Sequence, residues 1–192
     1  MSKEVKNILL VGVGGQGTIL ASKILSEALV GLGFDVKMSE IHGMSQRGGN
    51  VSTQIRYGEK VYSPVVGKGE ADVIVAFEKM EALRWVEYLR EGGRMVVNDF
   101  EIPSAPILMG KAEYPGGIAE TLSEKIDVLM IKAADVAAEL GNSRVMNIVL
   151  LGALAKAMDI SGIDWEQTIT NNVKAGFGEL NVKAFQRGYE MG

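Results

Sequence analysis

The most constraining stretch in the chain is Gly12-Val13-Gly14-Gly15-Gln16-Gly17, set between two segments of different period. Before it, Ile8-Leu9-Leu10-Val11 is a short apolar run of strand length. After it, Thr18 to Leu32 places Ile19, Leu20, Ile24, Leu25, Ala28, Leu29 and Leu32 at helical spacing. Strand, glycine turn and helix in that order leave the turn's N–H groups bare at the positive end of a helix. That arrangement suits an anion, most often a phosphate. The spacing satisfies G-x-G-x-x-G, a weak signal alone and a stronger one between a strand and a helix. A tight turn with no ligand is the competing reading.

Further along, Asp35 to Glu40 reads as a second strand, and Glu40 lies where a dinucleotide site places an acid for a ribose hydroxyl. The next stretch departs from such a site. Ile41 to Asn50 is too polar and glycine-rich for a crossover helix. It runs directly into an alternating strand at 51–57, a Gly58-Glu59 turn and a second strand at 61–66, a predicted β-hairpin. A loop carrying Ser45, Gln46, Arg47, Gly48 and Gly49 is a functional candidate. His42 alone is more simply a structural imidazole.

Asp72 to Phe77 and Arg94 to Asn98 read as strands buried on both faces. Gly92-Gly93 read as the stop of a helix over 78–89. A strand at 128–131 and a helix at 133–140 follow, then an all-round apolar helix at 144–158 with Ser143 as its cap. Asp164 to Gln167 reads as a capping box, and a helix over 177–191 closes the chain. The predicted fold is α/β: one Rossmann-like domain over 1–192, its mostly parallel sheet covered by helices on both faces and carrying an inserted β-hairpin.

Composition narrows the chemistry. The 192 residues include no cysteine and one histidine, with a formal net charge of −4. A chain without cysteine builds no disulfide, thiolate zinc site or ordinary iron–sulfur site. The acidic balance and dispersed cations argue against a nucleic-acid or membrane surface. The N-terminus enters a strand with no signal-peptide pattern, so a cytoplasmic protein is expected.

Three stretches together carry a resemblance. Gly12-Val-Gly-Gly-Gln-Gly17, then Ser39-Glu-Ile-His-Gly-Met-Ser-Gln-Arg-Gly-Gly-Asn-Val51, then Tyr62-Ser-Pro-Val65 resemble the small gamma-type subunit of 2-oxoacid:ferredoxin oxidoreductases. The second stretch is most similar to the beta subunit of indolepyruvate ferredoxin oxidoreductases. The resemblance implies a subunit of an enzyme that converts an aryl-2-oxoacid, coenzyme A and oxidised ferredoxin to acyl-CoA, carbon dioxide and reduced ferredoxin. It also implies that thiamine diphosphate, magnesium and iron–sulfur clusters belong to a larger partner subunit, with ferredoxin met through the complex. No residue of this chain is expected to be catalytic, and no metal site is expected. Gly12, Gly14, Gly15, Gln16, Gly17, His42, Ser45, Gln46, Arg47, Gly48 and Gly49 are the expected binding residues, for coenzyme A, another anion or the partner. Self-association into a homodimer stays open for the isolated chain. The alternatives are a stand-alone NAD(P)-dependent oxidoreductase and a non-enzymatic nucleotide-binding module.

Overall fold

The computed structural model describes residues 4–43 and 49–192. A six-stranded sheet forms its centre, from β1 (Lys6–Val13), β2 (Asp35–His42), β3 (Asn50–Gly58), β4 (Ala71–Ala76), β5 (Leu89–Asn98) and β6 (Asp127–Ile131). The spatial order is β2-β3-β1-β4-β5-β6. β1, β4, β5 and β6 run parallel, while β3 runs antiparallel to both β1 and β2. β2 therefore points the same way as β1, and the glycine turn and His42 emerge at the same end of the sheet.

Alternation along the strands explains the two cores. Ile8, Leu10, Val73, Val75 and Val96 face one side, where they meet α1 (Thr18–Gly31), α5 (Ala133–Glu139), α6 (Met146–Met158), α7 (Trp165–Asn172) and α8 (Gly178–Met191). Leu9, Val11, Ile74, Met95 and Val97 face the other, against α2 (Lys79–Trp85) and α4 (Ile118–Ser123). A short α3 (Ala105–Leu108) lies in the connection after β5. The α/β sheet with helices on both faces matches the sequence expectation. α6 is buried along most of its length because α8 crosses it at backbone contact: a Cβ added to Gly152 would lie 2.1 Å from the Phe185 carbonyl oxygen.

The hairpin differs from its expected position. It is formed by β2 and β3, from His42↔Val51 to Asp35↔Gly58, rather than by 51–57 with 61–66. Residues 61–66 form no strand, since side chains satisfy their backbone. Val61 N–H donates to Asp35 Oδ2 at 2.9 Å, Val66 N–H donates to Gln54 Oε1 at 2.7 Å, and Arg56 donates to the Ser63 and Val65 carbonyls. Gly92-Gly93 do not end a helix either. They lie inside β5, where the β4 pairing shifts register between Ala71 and Val73. Gly92 has φ +69°, and a Cβ on Gly93 would press on the Ala71 carbonyl at 3.0 Å. The glycines accommodate an irregularity in the ladder.

Capping follows the sequence in part. Asp164 accepts from Gln167 N–H at 2.9 Å, opening α7, while the Gln167 side chain turns to Asn171 instead of completing the box. Ser143 does not cap α6: a 3-10 turn over Ser143–Val145 precedes it, capped by Asn142, whose Oδ1 accepts from Arg144 N–H, and α6 itself starts after Val145 with no side-chain cap.

Candidate binding cleft at the glycine turn

β1 ends in the glycine turn because three of its positions demand glycine. A Cβ on Gly12 would meet Gln16 Oε1 at 2.7 Å and Phe77 Cβ at 2.9 Å. Gly15 and Gly17 have φ of +102° and +80°, a region that side chains disfavour. At Gly17 a Cβ would also strike Asn147 Nδ2 at 2.6 Å.

The Gln16 side chain fixes the turn. Its Oε1 accepts from Val13 N–H at 2.7 Å and its Nε2 donates to the Phe77 carbonyl at 2.8 Å. The same carbonyl accepts from buried Asn98, whose Oδ1 in turn accepts from Ala133 N–H. This network ties the C-terminal ends of β1, β4 and β5 to the start of α5. Directly after Phe77, the buried Glu78 caps α2 through Glu81 N–H and accepts from the Tyr114 hydroxyl. Burial, then the Glu78 carboxylate, hold the Tyr114 phenol well above its usual range.

The network also decides where a ligand fits. β1 and β4 are neighbours whose following helices pack on opposite faces, the switch point where open α/β sheets hold dinucleotides. Here the Gln16 amide bridges that point. The open space lies toward β3 and β2, as a cleft of about 460 Å³ lined by Gly14, Gly15, Gly17, Thr18, Ile19, Val51 and His42.

Within the turn the amides divide into two sets. Gly14 N–H donates to the Gly49 carbonyl at 2.8 Å, and Gln16 N–H to the Val13 carbonyl at 3.3 Å. Among the described residues, the N–H groups of Gly15 and Gly17 have no acceptor. They stand at the start of α1, whose first turn holds no acidic side chain and whose N-cap, Gly17, supplies no side-chain acceptor. Two amides without acceptors thus stand at the positive end of a 14-residue helix, a setting that favours negative charge.

His42 lines the cleft half-exposed, its Nε2 3.7 Å from Glu40 Oε2. Glu40 does not line it. The β3 strand separates Glu40 from β1, and its Oε1 accepts from Ser22 Oγ at 3.3 Å. The ribose-binding acid expected at Glu40 is therefore turned to other work. Of the candidate site residues, Gly14, Gly15, Gly17 and His42 share the cleft, while Gly12 and Gln16 build the turn behind it and Gly49 anchors it. Ser45, Gln46, Arg47 and Gly48 lie outside the described residues.

Sequence reasoning passed over Thr18, Ile19, Val51 and Asn147 as site residues. Asn147 Nδ2 donates to the Gly17 carbonyl at 3.0 Å and pins α6 to the turn. As a polar residue in the first turn of an otherwise apolar helix, it was the available signal. No group of three or more His, Cys, Asp or Glu side chains among the described residues is arranged to hold a metal ion. With no cysteine in the chain, its residues do not fit an iron–sulfur cluster.

Fold and cleft define an α/β domain with an open cleft at its glycine turn and a β1–β4 crevice bridged from within by Gln16. A family model described as pyruvate ferredoxin/flavodoxin oxidoreductase matches residues 7–191, and the chain belongs to that family. It is 38% identical over 188 residues to the indolepyruvate oxidoreductase subunit IorB of Pyrococcus horikoshii, across 95% of this chain and 93% of that protein. It is 37% identical over 193 residues to the subunit of the same name from Thermococcus kodakarensis, with the same coverage. Among solved structures it resembles the gamma subunit of a keto/oxoacid ferredoxin oxidoreductase from Geobacter sulfurreducens. That match has a TM-score of 0.70 and 26% identity, across 97% of each chain.

Proposed function

We propose that this chain is the accessory subunit of an indolepyruvate-type 2-oxoacid:ferredoxin oxidoreductase, and that its glycine-turn cleft receives an anionic group of coenzyme A. The reaction consumes a 2-oxoacid, coenzyme A and two oxidised ferredoxins. It yields acyl-CoA, carbon dioxide, a proton and two reduced ferredoxins. In this reading the electron-carrying clusters belong to the partner, since this chain has no thiolate to ligate one, and the family resemblance assigns the carbanion-stabilising thiamine diphosphate to the same partner. Full-length similarity to IorB subunits supports the substrate class.

The observation that carries the binding role is the pair of free amides at Gly15 and Gly17, facing a cleft closed on its other side by His42. Phosphate oxygens accept from such amides, and the α1 dipole favours their charge. Arg47, an expected binding residue from the sequence motif, has a guanidinium that offers paired donors to a phosphate or carboxylate.

The test is steady-state kinetics of the complex formed with the larger subunit, using indolepyruvate, coenzyme A and a viologen acceptor. A His42→Ala complex is expected to show a several-fold higher KM for coenzyme A with the indolepyruvate KM unchanged. An unchanged KM for coenzyme A would remove the cleft from its binding site. The stand-alone NAD(P) reading is disfavoured by the Gln16 bridge and by Glu40 facing Ser22.

A further inference from the structure

A second cavity, of about 390 Å³, opens beside the first turn of α1, where Leu20 lines it. Its other walls come from the residues before α6, the end of α7 and the start of α8. Arg144 and Lys174 both line it. Among the described residues, neither side chain pairs with a carboxylate, although the chain carries more acidic than basic residues. Two unpaired cations on one cavity are an electrostatic vacancy for an anion.

Three further features sharpen its chemistry. The 14-residue α8 begins here with Phe177 at its N-cap and no side-chain cap, so its first amides face outward. Glu179, in that first turn, is engaged by Lys183 at 2.6 Å. Asn181 lines the cavity at 6% exposure. Its Nδ2 donates to the Phe177 carbonyl at 2.8 Å, and its Oδ1 accepts from no described residue. That oxygen is open to the cavity rather than sealed in the core, so an N–H of a ligand can reach it. The Phe177 ring, 45% exposed, gives the cavity a flat apolar face beside Leu20 and Val173.

We infer that this cavity binds a nucleoside phosphate, with the phosphates on Arg144, Lys174 and the α8 amides, and the base on Phe177 with an N–H donated to Asn181. The volume lies in the range of small-molecule sites. The inference rests on these residues and not on the glycine-turn cleft.

Calorimetric titration of the full chain with ADP at low salt tests it. ADP is expected to bind saturably, and the double variant Arg144→Ala/Lys174→Ala to lose about tenfold or more in affinity. Both side chains are exposed, so circular dichroism should show an unchanged fold. Phe177→Ala is expected to weaken ADP while leaving inorganic pyrophosphate unaffected, and His42→Ala to leave ADP binding unchanged. Displacement of ADP by coenzyme A would identify the occupant as the nucleotide end of that molecule. Retention of ADP would identify a free nucleotide. No saturable binding into the millimolar range, or binding that the double variant leaves intact, would overturn the inference.

Discussion

Gln16 and Phe77 join two strands through one hydrogen bond: the Gln16 Nε2 donates to the Phe77 carbonyl at 2.8 Å while its Oε1 holds Val13 N–H at 2.7 Å. One side chain thus shapes the glycine turn and bridges the neighbouring crevice. Gln16→Leu keeps the volume and removes both bonds, leaving Val13 N–H without its acceptor. Urea unfolding should show a loss of about 1–3 kcal/mol. A variant as stable as the parent would mean that the turn holds itself without the amide.

The α6–α8 crossing predicts a sharp contrast among glycines. A Cβ on Gly188 would lie 1.8 Å from the Val149 carbonyl oxygen, and one on Gly152 2.1 Å from that of Phe185. Alanine at either position forces two backbones apart, and the expected cost is about 3 kcal/mol or more. Gly31, at the end of α1, has open space around its would-be Cβ. Gly31→Ala should be neutral or stabilise by up to about 1 kcal/mol. Thermal melts of the three variants compare them directly, and equal losses would contradict this packing.

These contrasts show what the sequence made legible. β1, the glycine turn, α1 and the doubly buried β4 each have a local pattern that only one element satisfies. Residues 61–66 carry an equally good strand pattern, yet Asp35, Arg56 and Gln54 side chains claim their backbone groups. That competition is tertiary and leaves no trace in the segment itself. The Gly92-Gly93 pair reads as a helix stop for the same reason, because the demand for it comes from Ala71 on another strand. In the site, the turn was readable, whereas the cleft's other wall depends on β3 bringing Val51 and His42 alongside it. Asn147 meets Gly17 across 130 residues of chain, a distance no local pattern spans.

Glu81 supplies a pH signature. It is 2% exposed, and burial, with Glu78 nearby, pushes its carboxyl above the usual range despite Arg84 Nη1 at 3.0 Å. Between the ordinary carboxylate range and that raised value, the native state holds a proton there that the unfolded chain releases. Stability falls as pH rises from the ordinary carboxylate range through Glu81's raised value. Glu81→Gln should remove that loss. Its stability relative to the parent should be higher at neutral pH than below about pH 4, where both side chains are uncharged. Urea unfolding at the two pH values measures this, and a pH-independent difference would rule out the raised carboxyl.

Arg47 carries the prediction made from the sequence motif alone. Arg47→Ala should lower turnover or coenzyme A affinity of the assembled enzyme without unfolding this chain. Kinetics beside a thermal melt separate those effects, and parental kinetics would take Arg47 out of the site.

The most direct measurement is anaerobic co-purification of the tagged chain from its native cells, followed by indolepyruvate- and coenzyme A-dependent viologen reduction by the eluate. A larger partner carrying iron and thiamine diphosphate is expected to co-purify, with activity that requires both substrates. A colourless, partnerless eluate that reduces no viologen would contradict the accessory-subunit role.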